Sequence, residues 1–277
     1  MTARSYLYVP GDRLDRLARA FDRAADEIII DLEDSVPPDA KSGSRAALRE
    51  WLPSAPRPVW IRINPQPLGE LDVAELARAP KIAGFCLAKT ENAAWVRDVA
   101  WVLDHAGSDA MLAPLLETAA AVLDARQIAA APRVARLQLG EADLRAQLGI
   151  TLSGDERELL AVRGQVVLAS AAVGLAPPVA PVSTNFVDLD ALARSTSALH
   201  RLGFFGRACI HPAQIPVVNR EFTPTRAAVD AARRMIEDLD RARGAASVGA
   251  DGTMVDDAVA RQARRIVTLA GLVGTRD

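Results

Sequence analysis

The chain has 277 residues and a mass of 29.5 kDa, with half of its residues apolar and 25% charged. That is enough to bury one large α/β barrel or two smaller domains, and the apolar share excludes disorder as the main state. Lys plus Arg number 33 and Asp plus Glu 35, a formal net charge of −2, which excludes a general nucleic-acid or polyanion binder but leaves room for one local anion pocket.

No uninterrupted apolar run reaches the length of a membrane span, so no membrane partner is expected. Met1 to Pro10 reads as too short and too quickly structured for a signal peptide. Cys86 and Cys209 both sit in apolar strand-like runs and read as buried thiols rather than a disulfide or a metal pair. The expected location is cytoplasmic. Scarce aromatics and abundant Ala predict helices packed closely on a strand core.

In chain order, the repeating pattern is a short apolar run, a polar or charged residue, then an amphipathic helix. Tyr6 to Val9 is followed by Pro10-Gly11-Asp12 and a helix from Leu14 to about Ala24. Ile28 to Ile30 ends in Asp31-Leu32-Glu33-Asp34, and Val59 to Ile63 ends at Asn64-Pro65. Phe85 to Ala88 ends at Lys89, Met111 to Leu116 at Glu117, and Val134 to Leu139 at Gly140. A weaker run spans Val179 to Val182, and Ala208 to Ile210 ends at His211-Pro212.

Continuous apolar runs of this kind are strands covered on both faces. Eight βα units predict a (β/α)8 TIM barrel over residues 1–222. The competing open doubly wound sheet would bring a Gly-rich phosphate loop after strand one, and Pro10-Gly11-Asp12-Arg13 is not one. Asp143 to Leu168 is a long, charged stretch with a helix and an extra excursion. Residues 223–277 form a C-terminal helical extension: a charged helix from Thr225 to Arg243, a small-residue linker from Gly244 to Gly252, and a last helix from Val255 to Leu272. This tail is a candidate lid or subunit-exchange element, or a plain packing appendage.

Reactive groups in such a barrel cluster at the C-terminal ends of the strands. Those ends read Pro10, Glu33 or Asp34, Arg62, Lys89, Glu117, Asp143 and His211, a concentration of charge that solvated helix faces do not explain. Glu117 and Asp143 end neighbouring strands, and two hard oxygen donors suit Mg²⁺. Taken singly, each could instead cap a following helix. No His/Cys cluster at zinc spacing is present. Arg62 is a charge inside an apolar run. It reads either as a structural ion pair with Glu33 or Asp34, or as a fixed cation facing a substrate carboxylate or enolate. Lys89 could form a Schiff base, but so many neighbouring carboxylates favour an ion-paired, protonated lysine. His211 reads equally as an acid–base group or an orienting hydrogen bonder, while His105 and His200 lie on helical segments and read as surface or packing residues.

These residues form an ordered set. Arg4-Ser5 with Val9-Pro10-Gly11 comes first, then Asp31 to Val36 with Lys41 and Arg45. Val59 to Asn64, Glu117-Thr118, Gly140 to Leu144, Ile210-His211-Pro212 and the tail motif Gly252 to Asp256 follow. The chain resembles, over nearly its whole length, the citrate lyase β-subunit-like and malyl-CoA lyase-like acyl-CoA lyases of the phosphoenolpyruvate/pyruvate barrel superfamily.

That resemblance implies a Mg²⁺ site at Glu117 and Asp143, with Arg62 contacting the reacting acyl or keto-acid group. It implies coenzyme A binding at Tyr8, Arg13 and Arg19, and a homotrimer or hexamer in which Asp256, with Asp257 as competitor, completes a neighbouring site as acid–base group. The ligands it implies are an acyl-CoA ester and an α-keto acid, with malyl-, citramalyl- or citryl-CoA as the substrate that is cleaved or formed. Alternatives are a citrate lyase β subunit acting on citryl-acyl carrier protein, a 4-hydroxy-2-oxo-acid aldolase, and a non-catalytic acyl-CoA sensor. Two departures from the family pattern bear on substrate range. Ala142 stands beside Asp143 where relatives carry a polar residue, and no Asp stands near strand seven, which reads Ala180-Pro181-Val182-Ser183-Thr184.

Overall fold

The computed structural model describes residues 3–241, 247–248 and 254–276. The chain divides into two compact units, residues 3–218 and 219 to the C-terminus. Among the described residues no helix is long and apolar enough to cross a membrane.

The first unit alternates strand and helix. It runs β1 (Ser5–Pro10), α1 (Leu14–Ala20), β2 (Glu27–Asp31), α2 (Lys41–Trp51), β3 (Val59–Ile63), α3 (Leu68–Leu76), β4 (Ile82–Leu87), α4 (Ala93–Ala106) and β5 (Met111–Leu116). It continues with α5 (Ala119–Leu123), α6 (Ala125–Ala129), β6 (Gln138–Leu139), α7 (Glu141–Leu148), α8 (Leu160–Ala172), α9 (Leu189–Leu202), β7 (Arg207–Cys209) and α10 (Gln214–Phe222), which crosses into the second unit. The seven strands are parallel, in the order β6-β5-β4-β3-β2-β1-β7.

The seventh expected strand, Val179 to Val182, is reduced to two bridges: Val179 pairs with Gln138 of β6, and Ala180 with Arg207 of β7. Pro177, Pro178 and Pro181 flank and interrupt this segment and carry no N–H, so a ladder cannot extend through it. The two bridges nonetheless tie the sheet's two edge strands to one segment. The sixth run is also shorter than expected: only Gln138–Leu139 is strand, with an isolated bridge from Val134 to Leu112. The first helix ends at Ala20 and tightens into a 3-10 turn over Phe21–Arg23.

The strands are buried because both faces are covered. Tyr6, Ile29, Trp60, Cys86, Ala113, Val179 and Ala208, mostly one from each strand, form a single apolar layer between them. Trp60 fills this layer because Gly84, on the adjacent strand β4, has no side chain; a Cβ there would lie 2.3 Å from the indole. Truncating a fully buried Trp costs about 3–5 kcal/mol. Both cysteines are free and buried, as expected. The long stretch after Asp143 resolves into α7, a 3-10 turn at Arg157–Leu159 and α8. His105 lies on α4 and His200 on α9.

In the second unit, α11 (Arg226–Arg241) packs against α12 (Asp257–Val273), with Leu239 and Ala260 buried between them. Between these helices β8 (Ser247–Val248) pairs antiparallel with β9 (Met254–Val255). The rest of the expected linker, and Gly252 and Thr253 of the tail motif, lie outside the described residues.

Candidate active site

The carboxyl ends of β1, β2, β3, β5 and β6 open onto one cleft of ≈ 390 Å³, lined among others by Tyr8, Asp31, Arg62, Glu117, Ala142 and Asp143. A polar residue placed where a buried strand ends can turn its side chain into that cleft while its backbone stays in the ladder.

Arg62 is held from two sides. Its Nε and Nη2 donate to both oxygens of Asp31 at 2.6 and 2.7 Å, and its Nη1 lies 3.0 Å from Glu33 Oε2. The ion-pair reading therefore holds with Glu33, but the principal partner is Asp31, which sequence reasoning missed; Asp34 is 3.9 Å away. Asp31 is itself fixed by the N–H groups of Glu33 and Ser35, at 2.9 and 3.1 Å. Burial opposes charge on both partners, but their mutual hydrogen bonds win: the Asp31 carboxyl stays below the usual range and the Arg62 guanidinium above its own. The guanidinium also stands 4.9 Å over the ring of Tyr8, whose hydroxyl donates to Gln138 Oε1 at 3.3 Å. Burial keeps that phenol protonated well above its ordinary range.

Glu117 does not cap the helix that follows it. Thr118 does so, accepting the N–H of Ala121. The buried Glu117 carboxylate instead accepts the N–H of Lys89 through Oε2 at 2.8 Å. A Cβ at Gly140 would fall 2.5 Å from Glu117 Cγ and 2.7 Å from Oε1, so only glycine lets this carboxylate stand where it does. Burial, with help from the charges of Glu33 and Asp143, pushes the Glu117 carboxyl up to about 7. Asp143 lies in the first turn of α7 without capping it, half exposed, with Lys89 Nζ 3.9 Å away. Since β5 and β6 pair through Leu116 and Leu139, Glu117 and Asp143 leave neighbouring strands on the same rim.

Lys89 Nζ donates to Glu33 Oε1 at 2.8 Å, which raises its pKa and gives the ion-paired, protonated form rather than a nucleophile. Glu141 contributes no free carboxylate, because Arg163 binds both its oxygens at 2.6 and 2.8 Å. Ala142 lines the cleft between them with a methyl group.

Other expected residues lie elsewhere. Arg13 and Arg19 are exposed and both pair with Asp15, so the structure joins them to each other but gives Tyr8 different partners. His211 does not line the cleft; its ring stacks on Phe186 at 4.9 Å and its Nδ1 accepts the N–H of Ala213. Asp256, in the second unit, caps α12 by accepting the N–H of Val259 at 3.0 Å, and the Asp257 side chain lies outside the described residues. Gln138 was also missed. It bridges Tyr8 and Cys86 Sγ, and no motif marks it; only its place at the end of an apolar run could have.

Among the described residues no three His, Cys, Asp or Glu side chains form a ready-made metal cluster. The donor set fits a magnesium ion all the same. Two carboxylates with room for water are what Mg²⁺ accepts, and Glu117 is crowded by like charge that a cation would relieve.

Parallel strands whose carboxyl ends gather a pinned arginine and paired carboxylates define an α/β protein with an enzyme-type, acid-rich site. The chain belongs to the HpcH/HpaI aldolase/citrate lyase family, which residues 4–212 match. It is 33% identical over 276 residues to a citrate lyase subunit beta-like protein of Deinococcus radiodurans, covering 96% of each chain. It is 33% identical over 261 residues to a (3S)-malyl-CoA thioesterase of Cereibacter sphaeroides, covering 92% of this chain and 90% of that one. Among solved structures it matches the protein CitE of Mycobacterium tuberculosis in complex with magnesium, acetoacetate and coenzyme A, with a TM-score of 0.83, 30% identity and 98% of each chain covered.

Proposed function

We propose that this chain is a Mg²⁺-dependent carbon–carbon lyase that cleaves or forms a 3-hydroxyacyl-CoA such as malyl-, citramalyl- or citryl-CoA, giving an acyl-CoA and an α-keto acid. The observation that carries this reading is the single cleft in which Arg62, locked by Asp31 and Glu33, faces the carboxylates Glu117 and Asp143. The ligands of the matched Mycobacterium tuberculosis structure support it.

Glu117 and Asp143 would hold the magnesium ion, which when bound supplies Lewis-acid polarisation and a template for the substrate's carboxylate and hydroxyl oxygens. Arg62, unable to rotate away from Asp31, presents a fixed positive charge to the anion that develops when the carbon–carbon bond breaks. The substrate hydroxyl loses its proton to solvent as its carbon becomes the keto carbon, the bonding pair passes to the carbon beside the thioester, and the resulting enolate takes a proton there from Asp256. In the synthetic direction Asp256 removes that proton. We assign Asp256 to the site of a neighbouring subunit in a homotrimer, with residues 223–277 as the exchanged extension. The cleft, at ≈ 390 Å³, suits the acyl and keto-acid end of the substrate rather than a whole CoA ester. The nucleotide end then extends to Arg13 and Arg19, two exposed cations suited to its phosphates. The bridges at Val179 and Ala180 support a closed (β/α)8 barrel with that segment as the seventh of eight strands in chain order. A second reading, in which thioester hydrolysis follows, is favoured by the relative named a malyl-CoA thioesterase.

The test is a cleavage assay with malyl-, methylmalyl-, citramalyl- and citryl-CoA and with citryl-acyl carrier protein, with keto acid, acyl-CoA and free CoA followed by mass spectrometry. Turnover of one ester that stops with EDTA supports the lyase, and free CoA as product adds hydrolysis. Turnover only with citryl-acyl carrier protein makes the chain a citrate lyase β subunit. Ester binding without turnover makes it a sensor, with the methyl of Ala142 in place of a polar contact.

A further inference from the structure

Lys89 lies two residues past the end of β4 and adopts φ +46°, a left-handed conformation that costs a residue with a Cβ about 1 kcal/mol. Its two ends account for that cost. The main-chain N–H points at Glu117 Oε2, 2.8 Å away, and the side chain turns to Glu33 Oε1, also 2.8 Å away. The turn is held by the Thr90 hydroxyl, which donates to the carbonyl of Leu87 at 2.8 Å.

The charges around the cleft can be accounted for one by one. Asp31 is neutralised by Arg62. Lys41 spends its ammonium on the carbonyls of Leu32 and Glu33 and on Asn64 Oδ1, at 2.6–2.9 Å. Lys89 lies within 4 Å of three carboxylates: Glu33 at 2.8 Å, Asp34 at 3.7 Å and Asp143 at 3.9 Å. One of these is half of the carboxylate pair assigned to the metal.

We propose that Lys89 is the internal counter-cation of this ring: its ammonium sets how tightly Glu117 and Asp143 hold a divalent ion, while its own N–H positions Glu117. The inference rests on the metal-lyase reading above. A fixed positive charge beside a cation site repels the cation, and here it also binds Glu33 so that this carboxylate does not join the pair. Neutralising the side chain therefore tightens the site. A merely structural lysine would do the opposite, since its loss could only loosen the ring. Lys89→Met keeps the main-chain N–H and a similar unbranched stem, and removes the charge together with the ammonium's hydrogen-bond donors.

The experiment is calorimetric titration of Mg²⁺ into EDTA-stripped wild type, Lys89→Met and Lys89→Arg, at low and at about 0.5 M salt, with thermal melting to confirm the fold. The expected result is binding on the order of tenfold tighter in Lys89→Met, a gap that narrows at high salt, and Lys89→Arg within about twofold of wild type. Should Lys89→Met not fold, Lys89→Gln serves with the same expectation. Equal or weaker binding in the neutral variant, with the wild type binding normally, overturns the counter-cation role. Absence of Mg²⁺ binding in the wild type itself overturns the metal reading instead.

Discussion

Asp31 and Arg62 face each other in direct register on β2 and β3 and share two hydrogen bonds of 2.6 and 2.7 Å. A paired register position on neighbouring parallel strands leaves neither residue free to move without disturbing the sheet. The pair thus converts strand geometry into the orientation of a cation, and Tyr8 beneath the guanidinium completes the seat.

Removing one partner of such a buried pair leaves an uncompensated charge. Asp31→Asn is expected to lose about 3 kcal/mol of stability in urea unfolding at pH 7. Because the folded-state pKa of Asp31 is depressed, its contribution is present above the ordinary carboxyl value and lost as pH falls below it. The wild type should therefore lose stability more steeply than Asp31→Asn below about pH 4. Equal acid slopes in the two proteins would remove Asp31 as the dominant partner.

Glu117 carries the opposite sign. Its carboxyl is raised from 4.5 to about 7, so ionising it in the folded protein is unfavourable. The advantage of the protonated form is complete below about 4.5 and is lost as pH rises through about 7. Metal-free protein should then lose up to roughly 3 kcal/mol between pH 4.5 and 8, and Glu117→Gln should flatten that slope. Thermal melting across this range in EDTA reads it directly; an unchanged slope in the variant would mean another group is responsible.

The strand ends were legible because an apolar run that stops at a charged residue has one good place for that charge. This placed Arg62, Lys89, Glu117 and Asp143 together around the strand ends. Which acid pairs with Arg62 was not legible, since Asp31, Glu33 and Asp34 crowd one strand end and only inter-strand register selects among them. The seventh expected strand faded because the apolar pattern of Val179 to Val182 says nothing of the donors that its prolines lack. Arg13, just before α1, and Arg19, within it, are both exposed and both satisfied by the neighbouring Asp15, a local pairing that their spacing from Tyr8 does not reveal.

Gly140 offers the sharpest separation of position from charge. It bears no functional group, and its φ of −104° is open to any residue, so its conformational freedom is not what the site uses. What the site uses is its missing side chain, because a methyl there would meet Glu117 Cγ at 2.5 Å and Oε1 at 2.7 Å. Glu117 cannot retreat without breaking its 2.8 Å hydrogen bond to the Lys89 N–H. Gly140→Ala should therefore displace the carboxylate while removing no ionisable group. The expected outcome is Mg²⁺ affinity lowered by roughly 10–100-fold, the range typical of residues that orient metal ligands. The carboxyl titration seen in metal-free melting should shift with it, because the buried environment that raises the pKa changes. Calorimetry of Gly140→Ala beside Glu117→Gln checks this: similar losses in both variants indicate that the position of Glu117 matters as much as its charge. Wild-type affinity in Gly140→Ala would show that the ring tolerates a shifted Glu117, and would take the close approach at Gly140 out of the account of the site.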